Sequence, residues 1–556
     1  MYPPATSFIS VTVSLARFAE GNNWFGIYPY WYFGSTPFNY LTGPVVPAIL
    51  VVLVKILPNF SLFDLSYFIL ITSHFALSLG WGLLGWNLSK KKTIGILVFL
   101  ISLVLPWKIV SSLALSEVSA VVASSLTPWV LLAFRVQAFG SEAQVFDSEV
   151  VQTRGARRGS GTSDRTVQSQ KFFKLITNPY TLVPILLFTI LLLVNVIASI
   201  PAIIGLIVLA VTTYKKWEEG IRKVVIVVLV GWALTLWWYE PNFWLTIFKA
   251  PSFGGKSAVS VFLWLFSLLR GLVPVILAVA VVWWGFSKKD KFLRFSLSWF
   301  AIFLILTILR FLSNPDFWLD WISWLGEVEM GAVLLASMLI FRSVRHFKKR
   351  STEVSSDHIF YNSVSLKPTL ADNSDIKSNV KSSARFVMFL KWLPSLNFDR
   401  KFAIFYLLFT IYFLGGWFFA WQKRDLWLPR KSIEETAEYR IASFLNENVK
   451  SDETVFLSGT TAFWLNSFYD IKQVRGGADQ ASVDSKWREA TWEIREGVTA
   501  QGTEKVVREL GINYIVVHKN QSAEFYHDFK NIGKFEGLAD LEKIYEDNGD
   551  LVYKVE

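Results

Sequence analysis

SYFILITSHFALSLGWGLLGWN, residues 66–87, holds no Asp, Glu, Lys or Arg, and Lys90, Lys91 and Lys92 follow it almost at once. An α-helix crosses the hydrocarbon of a bilayer in about 17–25 apolar residues, so this run reads as a transmembrane helix ending at a basic cluster. Similar runs recur near 94–111, 113–134, 223–239, 260–286, 295–313, 322–341 and 402–421. The block 181–214 is interrupted at Ser199-Ile200-Pro201 and reads as two helices, the second short. The run 43–57 is shorter and carries Pro44 and Pro47. The pattern predicts a mostly α, polytopic transmembrane helical bundle of about 10 spans.

Composition agrees. The chain of 556 residues is 53% hydrophobic and 16% aromatic, with mean hydropathy +0.39, above the roughly 45–50% apolar content of soluble domains. The net charge of +11 sits in short clusters beside apolar runs: Lys90 to Lys92, Lys215/Lys216, Lys288 to Arg294 and Arg342 to Arg350. That placement follows the positive-inside rule and points to membrane lipids, not nucleic acid, as the partner. The absence of cysteine excludes disulfide scaffolds, thiolate metal sites and Cys nucleophiles. The start, MYPPATSFISVTVSLARF, lacks signal-peptide features. Insertion then relies on internal helices, or an N-terminal part is missing.

Placing the basic clusters in the cytoplasm lets every span from 66 onward alternate. Glu117 and residues 240–258 and 314–321 fall outside, while 135–178, 215–223, 288–294 and 342–400 fall inside. The expected localisation is the plasma membrane, with an extracytoplasmic C-terminal domain. Residues 58–65 are outside, so 43–57 must return or lie at the interface if the stretch before it is outer too. Residues 137–170 and 351–385 lack periodicity and read as cytoplasmic disorder. The expected division is an outer loop over 1–42 with an aromatic segment, a helical domain over 43–342, a cytoplasmic loop over 343–401, a last span over 402–422 and a soluble α/β domain over 423–556.

That last domain has its own signals. SIEETAEYRIASFLNENV offers Ser432 as N-cap and Ala437, Ile441, Phe444 and Leu445 on one face. ETVFLSG and INYIVVH read as strands, TEKVVRELG as a helix ended by Gly511, and LEKIYEDNGDLVYKV as a hairpin turning at Asn548-Gly549.

Soluble-enzyme motifs are absent: no Walker A, GxGxxG, HExxH or GxSxG occurs. The histidines are scattered, and His74, inside a span, reads as bonded to a neighbouring helix. Acidic residues on the outer face remain. Glu20 precedes the aromatic stretch, Glu117 lies between two spans, and Glu240 follows another. Intramembrane or rim carboxylates are costly unless they face a wet cavity or a partner. These three could form a general base with its orienting partner, hold a divalent cation, or be helix-terminus charges. Asp316, Asp320, Glu327 and Glu329 share that face, but NPDFWLDWISWLGEVEM reads as an interfacial helix anchored by Trp. Two outer loops match in composition: 20–44, with Tyr30, Trp31 and Tyr32, and 240–257, with Gly254-Gly255 and Lys256. Aromatics there could anchor at the headgroups or stack on sugar rings. Gly-rich backbone with a lysine could hold a phosphate, or serve packing alone.

WYFGSTPFNYLTGP over 31–44, the Pro106 and Ser116-Glu117 of the next outer turn, and PSFGGKS over 251–257 resemble GT-C type membrane glycosyltransferases. The resemblance is in particular to the multi-pass group labelled 6-pyruvoyl-tetrahydropterin-synthase-related membrane proteins. It implies transfer of a sugar from a polyprenyl-phosphate donor, at the outer face, to a glycan, lipid or protein acceptor. It places Glu117 at the second acidic position, with Glu20 the acid left in the first loop, and Lys256 at the donor phosphate. Tyr30, Trp31, Tyr32 and Glu240 would help bind substrate. The pattern's first span has no counterpart, and Ser7 and Phe8 stand where its acid is expected. The chain is then N-terminally truncated, or the base is lost and the protein is inactive as a transferase. The alternative is a non-catalytic envelope protein that binds or moves polysaccharide or lipid-linked glycan.

Overall fold

The computed structural model describes residues 2, 7–21, 24, 26–36, 43–114, 118–152, 179–214, 216–239, 241, 243–244, 290–313, 321–361, 400–424, 428, 432–477, 482, 486–538 and 540–556. Its first element, α1 (Ile9–Gly21), lies within the stretch expected as an outer loop. Ile9, Val13 and Ala16 enter the core of the helical bundle, whereas Val11, Leu15 and Ala19 enter a second core shared with the C-terminal domain. At 3.6 residues per turn these sets occupy two different faces, so the helix is apolar on both and is wedged between two bodies.

The short α2 (Val45–Ile56) has 12 residues, about 18 Å, too little to cross the hydrocarbon. The long α3 (Leu62–Ser89) is started by a capping box: Ser61 accepts from the Asp64 N–H and the Asp64 carboxylate accepts from the Ser61 N–H. It ends at Lys90, in the left-handed region at φ 59°. The expected single span over 94–111 is instead α4 (Lys92–Leu103) and α5 (Pro106–Ala114), bent by 45°. Pro106 has no N–H to continue the ladder and suits the first turn of a new helix. Helix α3 packs closely on α4 where glycines face each other. A Cβ on Gly95 would stand 2.7 Å from the Gly82 carbonyl oxygen, and small residues let helix backbones approach this way.

The backbone of α6 (Val118–Gln152) stays helical into the segment expected to be disordered. Next come α7 (Pro179–Val194) and α8 (Ser199–Thr213), separated at Asn195, whose side chain accepts from the Ala198 N–H at 3.1 Å. The break thus precedes Pro201, which sits in the first turn of α8, where its missing N–H is harmless. The remaining helices are α9 (Trp217–Ala233), α10 (Lys291–Ser313), α11 (Trp321–Tyr361) and α12 (Arg400–Gln422). Helix α11 also runs beyond the expected start of the cytoplasmic loop.

Among the described residues, four helices are long and apolar enough to cross a membrane, and the bent α4–α5 pair makes a fifth. The expected run 260–286 lies outside the described residues. Several basic groups gather at one end of the bundle: Lys90 lies near Arg135, Lys223 covers the Tyr214 ring, which meets Phe134, and Arg342 pairs with Asp290 at 3.3 Å. The other end, marked by Phe63 at the start of α3, meets Trp464 of the C-terminal domain at 5.6 Å.

That domain contains α13 (Ala437–Asn448), β1 (Thr454–Phe456), α14 (Thr460–Phe468), β2 (Lys472–Gln473), α15 (Trp487–Glu496), α16 (Ala500–Glu509), β3 (Tyr514–His518), a 3-10 turn (Ile532–Gly537), β4 (Leu541–Asp547) and β5 (Asp550–Val555). The strand order is β2-β1-β3-β5-β4; β1 is parallel to β2 and β3, and the β4–β5 hairpin pairs antiparallel with β3. Asn548 and Gly549 turn the hairpin at φ 49° and 90°, as the sequence predicts. The N-cap of α13 is Thr436, accepting from the Tyr439 N–H, while the expected cap, Ser432, bonds to Glu434.

Residues 28–35 form a tight turn, with Tyr28 and Ser35 exchanging backbone hydrogen bonds of 2.8 and 3.0 Å. Its tip extends the sheet at β2: the Gln473 N–H donates to Tyr30 and the Tyr32 N–H donates to Gln473. The Trp31 indole is 1% exposed and donates to Asn466 Oδ1 at 2.9 Å. It rests on a glycine pair: a Cβ on Gly476 would stand 2.2 Å from its ring, and one on Gly477 2.7 Å. Trp31→Ala is therefore expected to weaken docking of the C-terminal domain by about 3–5 kcal/mol, the range for emptying a buried aromatic site. Limited proteolysis in detergent checks it: the domain should become cleavable from the bundle in Trp31→Ala and in Gly476→Ala.

Candidate functional site

The structure places Glu20 in the last turn of α1, exposed. A carboxylate at a helix C-terminus opposes the macrodipole, so stabilisation of the helix end does not account for it. Three residues earlier, Arg17 pairs with Asp470 of the C-terminal domain at 3.4 Å, which sets the end of α1 at the junction of the two bodies. Glu117, Glu240 and Lys256 lie outside the described residues. Helix α5 ends three residues before Glu117 and α6 begins directly after it.

Of the aromatic trio, Tyr30 keeps a partly exposed ring. Trp31 and Tyr32 are buried; the Tyr32 hydroxyl donates to the carbonyls of Gly476 and Gly477, each at 3.0 Å, and its ring meets Trp487 at 4.6 Å. Their faces are occupied by protein, so their task in this structure is to hold the C-terminal domain. Tyr32 and Phe33 take φ of 54° and 60°, a conformation costing roughly 1–2 kcal/mol per non-glycine residue and kept only where surroundings impose it. Trp31 and Tyr32 of the first aromatic loop, Phe243 of the second and Trp238 and Tyr239 just before it belong to one buried cluster. Among the described residues, no three His, Asp or Glu side chains converge as metal ligands.

A charged cluster inside the bundle departs from the sequence reading. Glu327 and Glu329 are 4% and 2% exposed, and Trp324 3%, so this turn of α11 faces the interior and is not an interfacial anchor. Lys108, on α5, reaches Glu327 at 3.8 Å, while Glu329 accepts the Lys108 backbone N–H at 3.0 Å and the Tyr412 hydroxyl of α12. Glu327 Oε2 is buried without a partner among the described residues. Asp316 and Asp320 lie outside them. The signal was available: two carboxylates within the apolar run 322–341 and a lysine within 94–111 are costly in a membrane unless they meet. His74 behaves as read, with Nε2 at 3.1 Å from the Leu103 carbonyl of the adjacent α4–α5 break.

The C-terminal domain holds a second buried network. His518 Nδ1 is 2.7 Å from Asp550, and Nε2 is 3.2 Å from the Thr461 hydroxyl. The distances are those of a hydroxyl–imidazole–carboxylate triad, but the hydroxyl donates to the Ser458 carbonyl and all three residues are 1% exposed. The buried group ties α14 to β3 and β5. Beside it, Glu524 accepts from the Thr460 and Thr461 N–H groups at 2.7 and 3.0 Å and so caps α14.

No family model matches the sequence, and no curated protein matches it. Among solved structures the chain is similar to the archaeal oligosaccharyltransferase AglB from Archaeoglobus fulgidus in complex with an inhibitory peptide and a dolichol-phosphate, at 12% identity and TM-score 0.47, covering 92% of this chain and 64% of that one. It is similar to ArnT from Cupriavidus metallidurans in the apo state, at 12% identity and TM-score 0.46, covering 99% and 93%. It is also similar to the arabinofuranosyltransferase AftD from Mycobacteria, at 14% identity and TM-score 0.46, covering 100% and 38%. The chain thus spans just under two-thirds of the oligosaccharyltransferase in that complex.

Removing one partner of a buried ion pair leaves an uncompensated charge, at a cost of about 3–5 kcal/mol, whereas replacing both with apolar residues is often close to neutral. Lys108→Met should therefore lower the thermal stability of the purified protein sharply. Adding Glu327→Leu to it should restore most of the loss, as read by the melting temperature in detergent.

Proposed function

We propose that the protein is a membrane glycosyltransferase acting on a lipid-phosphate-linked sugar at the outer face of the plasma membrane. The observation that carries this reading is Glu20: the only acidic residue before Asp64, exposed, and held where it does not stabilise its own helix. It ends α1 at the junction of bundle and C-terminal domain, just before the turn that carries Tyr30. In the proposed reaction an acceptor hydroxyl attacks the anomeric carbon. Glu20 or Glu117 takes the hydroxyl proton, the bond from that carbon to the donor phosphate breaks, and the lipid phosphate leaves with its electron pair beside Lys256. Tyr30 offers the partly open aromatic face of the trio for a sugar ring, and Glu240 lies in the loop that also brings Lys256.

The proposed sidedness rests on the bundle's two ends. The basic groups Lys90, Arg135 and Arg342 lie at one, and the C-terminal domain docks at the other. The positive-inside rule then puts that domain outside. Because the chain has no cysteine, a single Ser451→Cys variant tests it cleanly. A membrane-impermeant maleimide should label Ser451→Cys in intact cells, and labelling only after lysis would reverse the orientation.

The catalytic assignment is tested by transfer from a polyprenyl-phosphate sugar with protein reconstituted in vesicles. General-base help is worth about 10²–10⁴-fold, so Glu20→Gln or Glu117→Gln should slow transfer by that factor. Unchanged transfer in both variants, with wild-type protein active, would remove both residues from the mechanism.

A further inference from the structure

The C-terminal domain carries a second constellation, independent of the transferase reading. Its parallel strands β2, β1 and β3 end on one edge, and the chain leaves β1 to β2 on one side and reaches β3 on the other. Open α/β sheets bind ligands in the crevice beyond the carboxyl ends of strands where the order reverses in this way. Ser458 follows β1 at this edge and Arg475 follows β2. Asp528 and Arg495 converge on the same point: Asp528 Oδ2 accepts from Ser458 Oγ at 2.6 Å and from Arg495 Nη1 at 2.9 Å, while Arg475 Nη1 donates to Ser458 Oγ at 2.7 Å and lies 3.5 Å from Asp528.

Charge is not balanced here. Arg475, Arg495 and Lys530 face Asp528 and Glu496, and Glu496 is engaged by Lys530 at 2.8 Å, leaving it 3.6 Å from Arg495. Three cations therefore face two carboxylates, and both guanidinium groups meet Asp528. Arg475 is the underused member. Its side chain is 21% exposed, yet among the described residues only Nη1 has a hydrogen-bond partner. Nε–H and Nη2–H remain, and these form one edge of the guanidinium, two parallel donors matched to two oxygens of a carboxylate or phosphate. Burial, with Arg495 adjacent, holds the Arg475 pKa below its ordinary value, while Asp528 and Tyr32 act in the opposite sense. An added anion would offset both the desolvation of the guanidinium and its repulsion by Arg495. The residues that follow Arg475, Gly476 and Gly477, receive the Tyr32 hydroxyl, and the Tyr32 ring lies on Trp487, so the cluster adjoins the aromatic turn.

We propose that Arg475, supported by Arg495, Ser458 and Asp528, is an oxyanion-binding site of the C-terminal domain that takes the phosphate or carboxylate group of a ligand on its free Nε/Nη2 edge. Asp528 sets the geometry by fixing Nη1 through Ser458, and Arg495 supplies the second positive charge.

The full-length protein in detergent tests this without any assay of transfer. Arginine modification by phenylglyoxal is followed at Arg475 by peptide mass spectrometry, with inorganic phosphate or glucuronate added at constant ionic strength against a chloride control. Protection of Arg475 by either anion supports the site, and the more effective anion identifies the group it takes. Protection by neither overturns it. Arg475→Lys keeps a cation beside Ser458 and Asp528 but lacks the two-donor edge. In that variant the anion-dependent rise in melting temperature should need at least tenfold more anion, and an unchanged dose dependence would also overturn the proposal. Because neither readout uses sugar transfer, failure here leaves the transferase reading standing, and the reverse holds too.

Discussion

The double-faced burial of α1 is the constraint on which the rest of the architecture depends. Its Ile9–Val13–Ala16 face completes the bundle core and its Val11–Leu15–Ala19 face completes the core beneath the C-terminal domain. Remove it and two hydrophobic surfaces face each other across a gap. Residues 28–35 turn at this seam and add to the edge of the sheet at Gln473. An unpaired sheet edge is a liability that proteins cover. Here the cover is also the lock, because Trp31 enters a slot that only Gly476 and Gly477 leave open.

This arrangement changes what the aromatic stretch is for. Trp31 and Tyr32 give up their faces and polar atoms to the C-terminal domain, while Glu20 before the turn, part of the Tyr30 ring within it and Asp470 opposite Arg17 stay exposed at the seam. A rigid seam with a carboxylate at its rim suits chemistry that needs a positioned base. The strained Tyr32–Phe33 backbone shows how firmly the position is imposed.

Elements specified by local signals were legible in the sequence. The capping box at Ser61, the Asn548-Gly549 turn, the buried strand at Tyr514–His518 and the long apolar helices appear where period, cap and turn chemistry place them. Elements specified by partners were not. In ISVTV the apolar residues alternate as they would in a strand, and α1 is helical because two cores receive it. The run 94–111 looks continuous in hydropathy, but the backbone consequence of Pro106 divides it. Among the candidate site residues, the aromatic trio was found for its composition, while its docking role depends on Asn466, Gln473 and Gly476, more than four hundred positions away.

The least legible feature is how two short helices beside the proposed site are held. Helices α5 and α14 each have nine residues, below the roughly 12–15 at which an isolated helix becomes stable in water. Neither is capped by a side chain of its own N-cap residue: α5 begins at Pro106, and α14 follows Gly459, which has no side chain to offer. Both receive a carboxylate from elsewhere. Glu329 accepts the Lys108 N–H in the first turn of α5, and Glu524 accepts the Thr460 and Thr461 N–H groups in the first turn of α14. An anion at a helix N-terminus satisfies orphan donors and the macrodipole together. It also ties the helix to the element that supplies the anion. Helix α5 ends three residues before Glu117 in the sequence, and α14 packs on α1, whose last turn carries Glu20. A buried carboxylate from the segment after β3 thus helps to set the position of the proposed base.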